Sequence, residues 1–317
     1  MSPRWALVLT GPTGSGKSEW AVRLAQQFPI EIISVDSAQV YRGMDIGTAK
    51  PSAAVRARTV HHLLDIRDPV QPYSAGEFVQ DASAALRAIQ ERGRLPVLVG
   101  GTMLYLRALL HGMAEMPPAS SAVRADIEAR AAARGWPALH AELKKVDARA
   151  AAKIHERDCQ RIQRALEVYE LTGRAISEWQ GTTQPPSLAT CWLKFALLPT
   201  DRANLKRALE ARFWAMLDSG LLAEVAALYR RPDLHAELPA IRSVGYRQLW
   251  AHCAGQTDLE QARRLAVTAT CQLAKRQMTW LRTLPGYECL DPADASGFAH
   301  ILEAIDSAGF VAAGAHG

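Results

Sequence analysis

Residues 11–18 read GPTGSGKS, a match to G-x-x-x-x-G-K-[ST]. It follows a short apolar run, WALVLT (5–10). It precedes KSEWAVRLAQQF, where Trp20, Ala21, Leu24, Ala25 and Phe28 recur at helical spacing. A strand that runs through such a loop into a helix is a phosphate cradle. Backbone N–H groups around Gly14 and Gly16 point inward, glycines permit close approach, and the helix N-terminus favours negative charge. Gly11, Pro12, Thr13 and Ser15 complete the loop. Lys17 adds a compact positive charge, and the Ser18 hydroxyl is a candidate Mg²⁺ ligand. This arrangement requires a parallel α/β core.

The rest of the chain agrees with that core. IEIIS reads as a second buried strand that ends near Val35 and Asp36. SAGE (74–77) is a capping box that opens a helix through about Arg92. LPVLVGG is a third buried strand, and TMLYLRALL a helix after it. CWLKFALL (191–198) is a late strand that can join the same sheet, and TDRANLKRALEARFWAML is a helix capped by Thr200 or Asp201. The alternation predicts a P-loop NTPase-like α/β fold, a parallel sheet with helices on both faces. Between about Met116 and Pro186 no strand is evident. That stretch opens with MPPASS, closes with GTTQPPS and is rich in Ala, Arg and Glu. It predicts an all-helical insertion over 116–186 within a core made of 1–115 and 187–317. Asp158 is placed to cap DCQRIQRALEVYELTG, and Gly173 to end it. TDLEQARRLAVTATCQLAKRQMTWLRTL predicts a long helix of about 27 residues.

Composition narrows the class. At 317 residues, 49% hydrophobic and 22% charged, the chain is expected to be a soluble globular protein with no membrane span. Five scattered cysteines without a C-x-x-C pair suggest neither disulfides nor zinc, which fits a reducing cytoplasm. The net charge of +5 is compatible with an acidic partner without requiring one.

Asp36 ends the second strand at the edge where open α/β sheets bind ligands. Three readings stay open at this point: a metal-binding carboxylate, a general base, or a cap for Ser37, Ala38 and Gln39. The polar loop 37–51 suits binding. Thr102 after the third strand can donate to a substrate, start the next helix, or do both. His61 and His62 lack a third ligand and read as core or turn residues. Lys145, Arg149, Lys153, Arg157 and Arg161 would line up on one continuous helix, but the cap at Asp158 predicts that the stripe is broken. RSVGYRQLW brings Arg242 and Arg247 around a glycine, and an arginine fork suits phosphate. KRQMTWLR interleaves cations with Trp280, compatible with RNA or with a half-buried helix.

Taken in order, GPTGSGKS, SVDSAQVYRGMDIGTAKP, HHLLDI, YSAGEF, PVLVGGTMLYLRALL, RIQRALEVYELTGR and IRSVGYRQ resemble the bacterial tRNA isopentenyltransferase family, over about Ala6 to Arg282. The zinc finger of some eukaryotic relatives has no counterpart here. The family often has Ala at the position of Gly14 and Thr at that of Ser18, and both changes keep the chemistry. The resemblance implies dimethylallyl transfer from dimethylallyl diphosphate to the exocyclic amine of the adenine 3′ of the anticodon, with Mg²⁺ and as a monomer. It implies that Gly11 to Ser18 bind the diphosphate, with Arg242 assisting, and that Asp36 is the base and Thr102 contacts the nucleotide. It also implies that the tRNA anticodon stem-loop meets Ser37, Ala38, Gln39, Arg124, Gln160, Arg161, Ile162, Gln163 and Arg164. A second group of tRNA contacts is Arg242, Ser243, Val244, Gly245, Tyr246 and Arg247, with Lys275, Arg276 and Arg282 on the last long helix. The competing reading is an ATP-dependent small-molecule kinase, which shares the P-loop and a carboxylate after the second strand but does not account for the later blocks.

Overall fold

The computed structural model describes residues 4–114, 116–179 and 188–310. The chain divides into two compact units, Met1–Leu106 with Leu188–Gly317, and Arg107–Ser187. The segment GTTQPPS, expected to close the insertion, lies outside the described residues.

The first unit contains β1 (Trp5–Thr10), α1 (Lys17–Ala25), β2 (Ile30–Val35), α2 (Ala53–Arg58), β3 (His61–His62), α3 (Ala75–Glu91), β4 (Leu95–Gly100) and the start of α4 (Met103–His111). The second contains α5 (Ser121–Arg134), α6 (Trp136–Val146), α7 (Ala148–Ala151), α8 (Cys159–Thr172) and α9 (Ile176–Trp179). The first then resumes with β5 (Cys191–Leu197), α10 (Arg202–Asp218), α11 (Leu221–Tyr229), α12 (Tyr246–Cys253), α13 (Leu259–Leu281), β6 (Glu288–Leu290) and α14 (Ala295–Ser307).

The six strands form one parallel sheet in the order β3-β2-β4-β1-β5-β6. Both β2 and β4 are buried along their whole length, as expected of central parallel strands covered on both faces. On one face Leu7, Leu9, Ile32, Val97 and Phe195 pack with Trp20 and Leu24 of α1 and Phe298, Ile301 and Ile305 of α14. Trp20 meets Phe298 edge-on with ring centroids 5.4 Å apart. Burial of each such aromatic contributes about 2–3 kcal/mol. On α3, Phe78 stacks on Tyr105 at 4.4 Å. The sheet register aligns Thr10 with Gly100 and Gly100 with Val35. Gly11, Asp36 and Gly101 therefore emerge in one row at the carboxyl edge.

The expected capping box is present, with Ser74 accepting from Glu77 N–H and Glu77 accepting from Ser74 N–H. Asp201 caps α10, while the Thr200 hydroxyl donates to Asp291 instead. The last long helix is 23 residues, shorter than expected: it runs from an Asp258 cap to Leu281. His61 and His62 form the edge strand β3, His61 bonding Thr59 O and His62 bonding Glu31.

The second unit has its own core of Ile127, Leu139, Leu143, Ile162 and Leu166. Asp158 caps α8, and Gly173 ends it in the left-handed region. The basic positions 145 to 161 fall on three separate helices and the turns between them, so no continuous stripe forms. The fully buried Glu167 accepts from Arg124 at 2.9 and 3.1 Å, from Arg164 at 2.7 Å and from Ser120 N–H at 2.8 Å. Burial pushes its carboxyl up, but these bonds outweigh burial and hold its pKa below the usual value.

Candidate active site

A cavity of about 770 Å³ opens at the carboxyl edge of the sheet. Thr13, Gly14, Gly16, Lys17 and Ser18 form one wall, with Gly14 (φ 78) and Gly16 (φ 81) in the left-handed region that glycine favours. Gly11, Pro12 and Ser15 are buried behind this wall. Lys17 Nζ donates to Pro12 O at 3.1 Å, which aims the ammonium along the loop. Burial lowers its pKa to about 8, with Asp36 opposing that shift and Arg212 reinforcing it.

Asp36 lines the same cavity, near enough to Lys17 and Arg212 for their charges to interact. Its Oδ1 accepts from Ala38 N–H at 2.8 Å and Gln39 N–H at 3.3 Å, so it does cap the turn. Oδ2 has no partner among the described residues. The cap role and a chemical role therefore use different oxygens. Thr102 Oγ1 accepts from Ser37 N–H at 3.1 Å, and Thr102 O accepts from Tyr105 N–H at 3.0 Å as α4 begins. Gln39 folds the binding loop onto the site. It accepts from Ser34 Oγ at 2.8 Å and donates to Thr48 O at 3.1 Å and Ala49 O at 3.3 Å.

From later in the chain, Arg242, Ser243, Val244, Gly245, Tyr246 and Arg276 join the cavity wall, with Trp280 beside them. Arg247, Lys275 and Arg282 are exposed and stand off that wall. Tyr246 contributes its ring only, since it is 1% exposed and its hydroxyl donates to Glu224. In the second unit Gln160 and Arg161 are exposed, and Arg161 pairs with Asp158 at 3.5 Å. Gln163 donates to Glu128 at 2.8 Å. The Ile162 side chain is buried in the core of this unit, and the Arg124 and Arg164 guanidinium groups, 42% and 29% exposed, pair with buried Glu167.

Residues 39–284 match the family model described as IPP transferase. A tRNA dimethylallyltransferase from Thioalkalivibrio sulfidiphilus is 54% identical over 98% of this chain and 94% of its own length. The chain belongs to this family. A second tRNA dimethylallyltransferase, from Halorhodospira halophila, is 58% identical over 87% of this chain and 89% of its own. Among solved structures, the tRNA isopentenylpyrophosphate transferase of Bacillus halodurans superposes with a TM-score of 0.70 at 34% identity, covering 96% of both chains. A eukaryotic dimethylallyltransferase acting on tRNA gives a TM-score of 0.76 at 28% identity, over 96% of this chain and 79% of its own. The matched region takes in the later blocks that the kinase reading leaves unexplained.

Three side chains in or beside this cavity escaped the sequence reading. Arg212 of α10 lines the cavity close to Asp36 and Lys17. Burial lowers its pKa and Asp36 opposes the shift, yet a guanidinium stays charged. Gln277 of α13 reaches both Thr13 and Gly101. Glu224 of α11 holds the 45–47 backbone.

Proposed function

We propose that the protein transfers a dimethylallyl group from dimethylallyl diphosphate to the exocyclic amine of the adenine 3′ of a tRNA anticodon, releasing diphosphate. The observation that carries this reading is one cavity whose walls bring the cations Lys17 and Arg212 beside a carboxylate, Asp36, with an unpaired oxygen. The cations suit a departing diphosphate and the carboxylate suits an amine that sheds a proton.

The bond between the allylic C1 and the diphosphate oxygen breaks, and its electron pair leaves with diphosphate. The adenine nitrogen bonds to C1, and Asp36 takes the amine proton as the bond forms. Lys17, Arg212, Arg242 and the amides at the start of α1 stabilise the charge as it builds on the leaving group. A preorganised donor of this kind contributes on the order of 3–4 kcal/mol. Thr102, joined to Ser37, positions the base. Among the described residues no group of three or more His, Cys, Asp or Glu could cage a metal. The Ser18 hydroxyl together with diphosphate oxygens and water is a hard-oxygen set that suits Mg²⁺, which would neutralise diphosphate charge when bound.

The adenine must leave its stack, which needs a few kcal/mol and less in an unpaired loop. In this reading the helical insertion (116–186) and the exposed face of α13, with Lys275, Arg276 and Arg282, grip the anticodon stem-loop. No helix among the described residues is long and apolar enough to cross a membrane. A monomer at work in the cytoplasm completes the proposal.

Labelled dimethylallyl diphosphate, Mg²⁺ and unmodified tRNA should give labelled tRNA without ATP. A strict requirement for ATP would overturn the reading. Asp36→Asn keeps the Oδ1 turn and should lose most turnover while still binding tRNA. Wild-type kcat in that variant would remove Asp36 from the role of base.

A further inference from the structure

Gln277 makes two backbone contacts at once. Its Oε1 accepts from Thr13 N–H at 2.9 Å, and its Nε2 donates to Gly101 O at 2.8 Å. It is thus a brace from α13 to the phosphate loop after β1 and to the loop after β4. There is little slack in this arrangement. A Cβ on residue 101 would sit 2.4 Å from Gln277 Nε2 and 3.0 Å from Gly11 O, so only glycine lets the amide in.

The brace changes what the loop can offer. A phosphate loop of this type grips successive phosphates with successive backbone amides. Here Thr13 N–H is taken by Gln277, and Ser15 N–H is closed onto Pro12 O at 3.2 Å. The amides at the start of α1 and the cations Lys17 and Arg212 remain for the ligand. A third phosphate would have to displace Gln277 from Thr13, and the Gly101 carbonyl would lose its donor.

We propose that Gln277 is a specificity-determining residue that limits this loop to two phosphates and so admits a diphosphate while rejecting a triphosphate. The inference rests on the prenyl diphosphate reading above and explains how a nucleotide-type loop discriminates against nucleoside triphosphates. A hydrogen bond to a charged group is worth about ten- to a hundredfold in affinity, so freeing one amide should shift the balance by on the order of tenfold.

The test is competition. Inorganic diphosphate and inorganic triphosphate are titrated against dimethylallyl diphosphate in the tRNA-labelling assay at fixed free Mg²⁺. The ratio of their inhibition constants is compared between the wild type, Gln277→Met and Gln277→Ala. Met keeps the side-chain volume and removes both bonds; Ala also opens the space. The expected result is that triphosphate gains about tenfold over diphosphate in Gln277→Met and at least as much in Gln277→Ala. Thermal unfolding identifies which variants are folded, and either folded variant decides. A ratio within twofold of wild type overturns the role of Gln277. A general loss of stability moves both inhibition constants together and leaves the ratio unchanged, so it counts against the proposal. If diphosphate fails to compete with dimethylallyl diphosphate in the wild type, the functional reading itself falls instead.

Discussion

Glu224 is a carboxylate spent on structure beside the reacting groups, and its removal should be measurable twice. Its Oε2 accepts from Asp45 N–H at 2.8 Å and Ile46 N–H at 2.9 Å, and its Oε1 from Gly47 N–H at 3.2 Å and from the Tyr246 hydroxyl. Burial, with Glu224 adding to it, raises the Tyr246 phenol above its ordinary value, so it remains a donor over the working range. In Glu224→Ala all four donors lose their acceptor. Asp45 N–H is exposed and water replaces the bond at little loss. The other three are partly buried, and at about 1 kcal/mol each they sum to roughly 3 kcal/mol.

The loop should loosen rather than detach. Lys50 still pins it through Asp45 at 2.8 Å and Asp65 at 2.6 Å. Because Gly47, Thr48 and Ala49 line the cavity, the loss should also appear in substrate affinity. Urea unfolding should show ~3 kcal/mol lost in Glu224→Ala and about half that in Glu224→Gln, which keeps one acceptor oxygen. KM for the prenyl donor should rise several-fold, with kcat changed less. If Glu224→Ala unfolds within 0.5 kcal/mol of wild type and binds donor normally, the loop is held by other contacts and this reasoning fails.

Four further outcomes follow from the same geometry. Lys17 titrates near 8 in the free protein, so kcat/KM for the donor should fall as pH rises through about 8; a flat profile to pH 9.5 would contradict it. Arg212→Ala should lower kcat by about 10²-fold or more with tRNA affinity intact, and a loss under threefold in single-turnover rate would dismiss it as a transition-state donor. Glu167 has its pKa held below the usual value in the folded state, so its stabilisation is present above about pH 4.5 and is lost as pH falls through the folded value. Glu167→Gln should destabilise the helical unit by ~3 kcal/mol at neutral pH and weaken this acid sensitivity, as calorimetry can check. Arg161→Ala should reduce the salt slope of tRNA binding by about one, whereas an unchanged slope would leave Arg161 as an ordinary solvated side chain.

How much of this was legible beforehand depended on the range of the signal. The β1–loop–α1 unit, the Ser74 capping box and the Asp158 cap are local devices whose partners lie within four residues, and each could be placed from sequence, while the cap of α10 was narrowed to Thr200 or Asp201. The strands β3 and β6 have two and three residues, too few for a periodicity, and β6 pairs with β5 across about 90 positions of sequence. For α14, Phe298, Ile301 and Ile305 are helically spaced, but only the fold reveals that they cover the sheet beside Trp20. The ion pairs of the second unit were hidden for a related reason: only the tertiary position of Glu167 shows that Arg124 and Arg164 share one buried carboxylate.

The three missed site residues share a signal that could have exposed them. In α10 the inward stripe runs Leu205, Leu209, Phe213, and Arg212 falls on it. In α13 it runs Ala266, Ala274, Met278, Leu281, and Gln277 falls on it. In α11 it runs Leu221, Val225, Leu228, and Glu224 falls on it. A polar side chain on an apolar stripe carries a desolvation penalty unless it meets a partner. Each of these three points toward the carboxyl edge of the sheet, where backbone amides of the loops after β1 and β2 and the carboxylate of Asp36 supply one. The loop motif marks where the anion goes. On the surrounding helices, Gln277 braces the loops after β1 and β4, Glu224 holds the loop after β2, and Arg212 faces Asp36, so these polar residues fix the walls of the cavity that the motif opens onto.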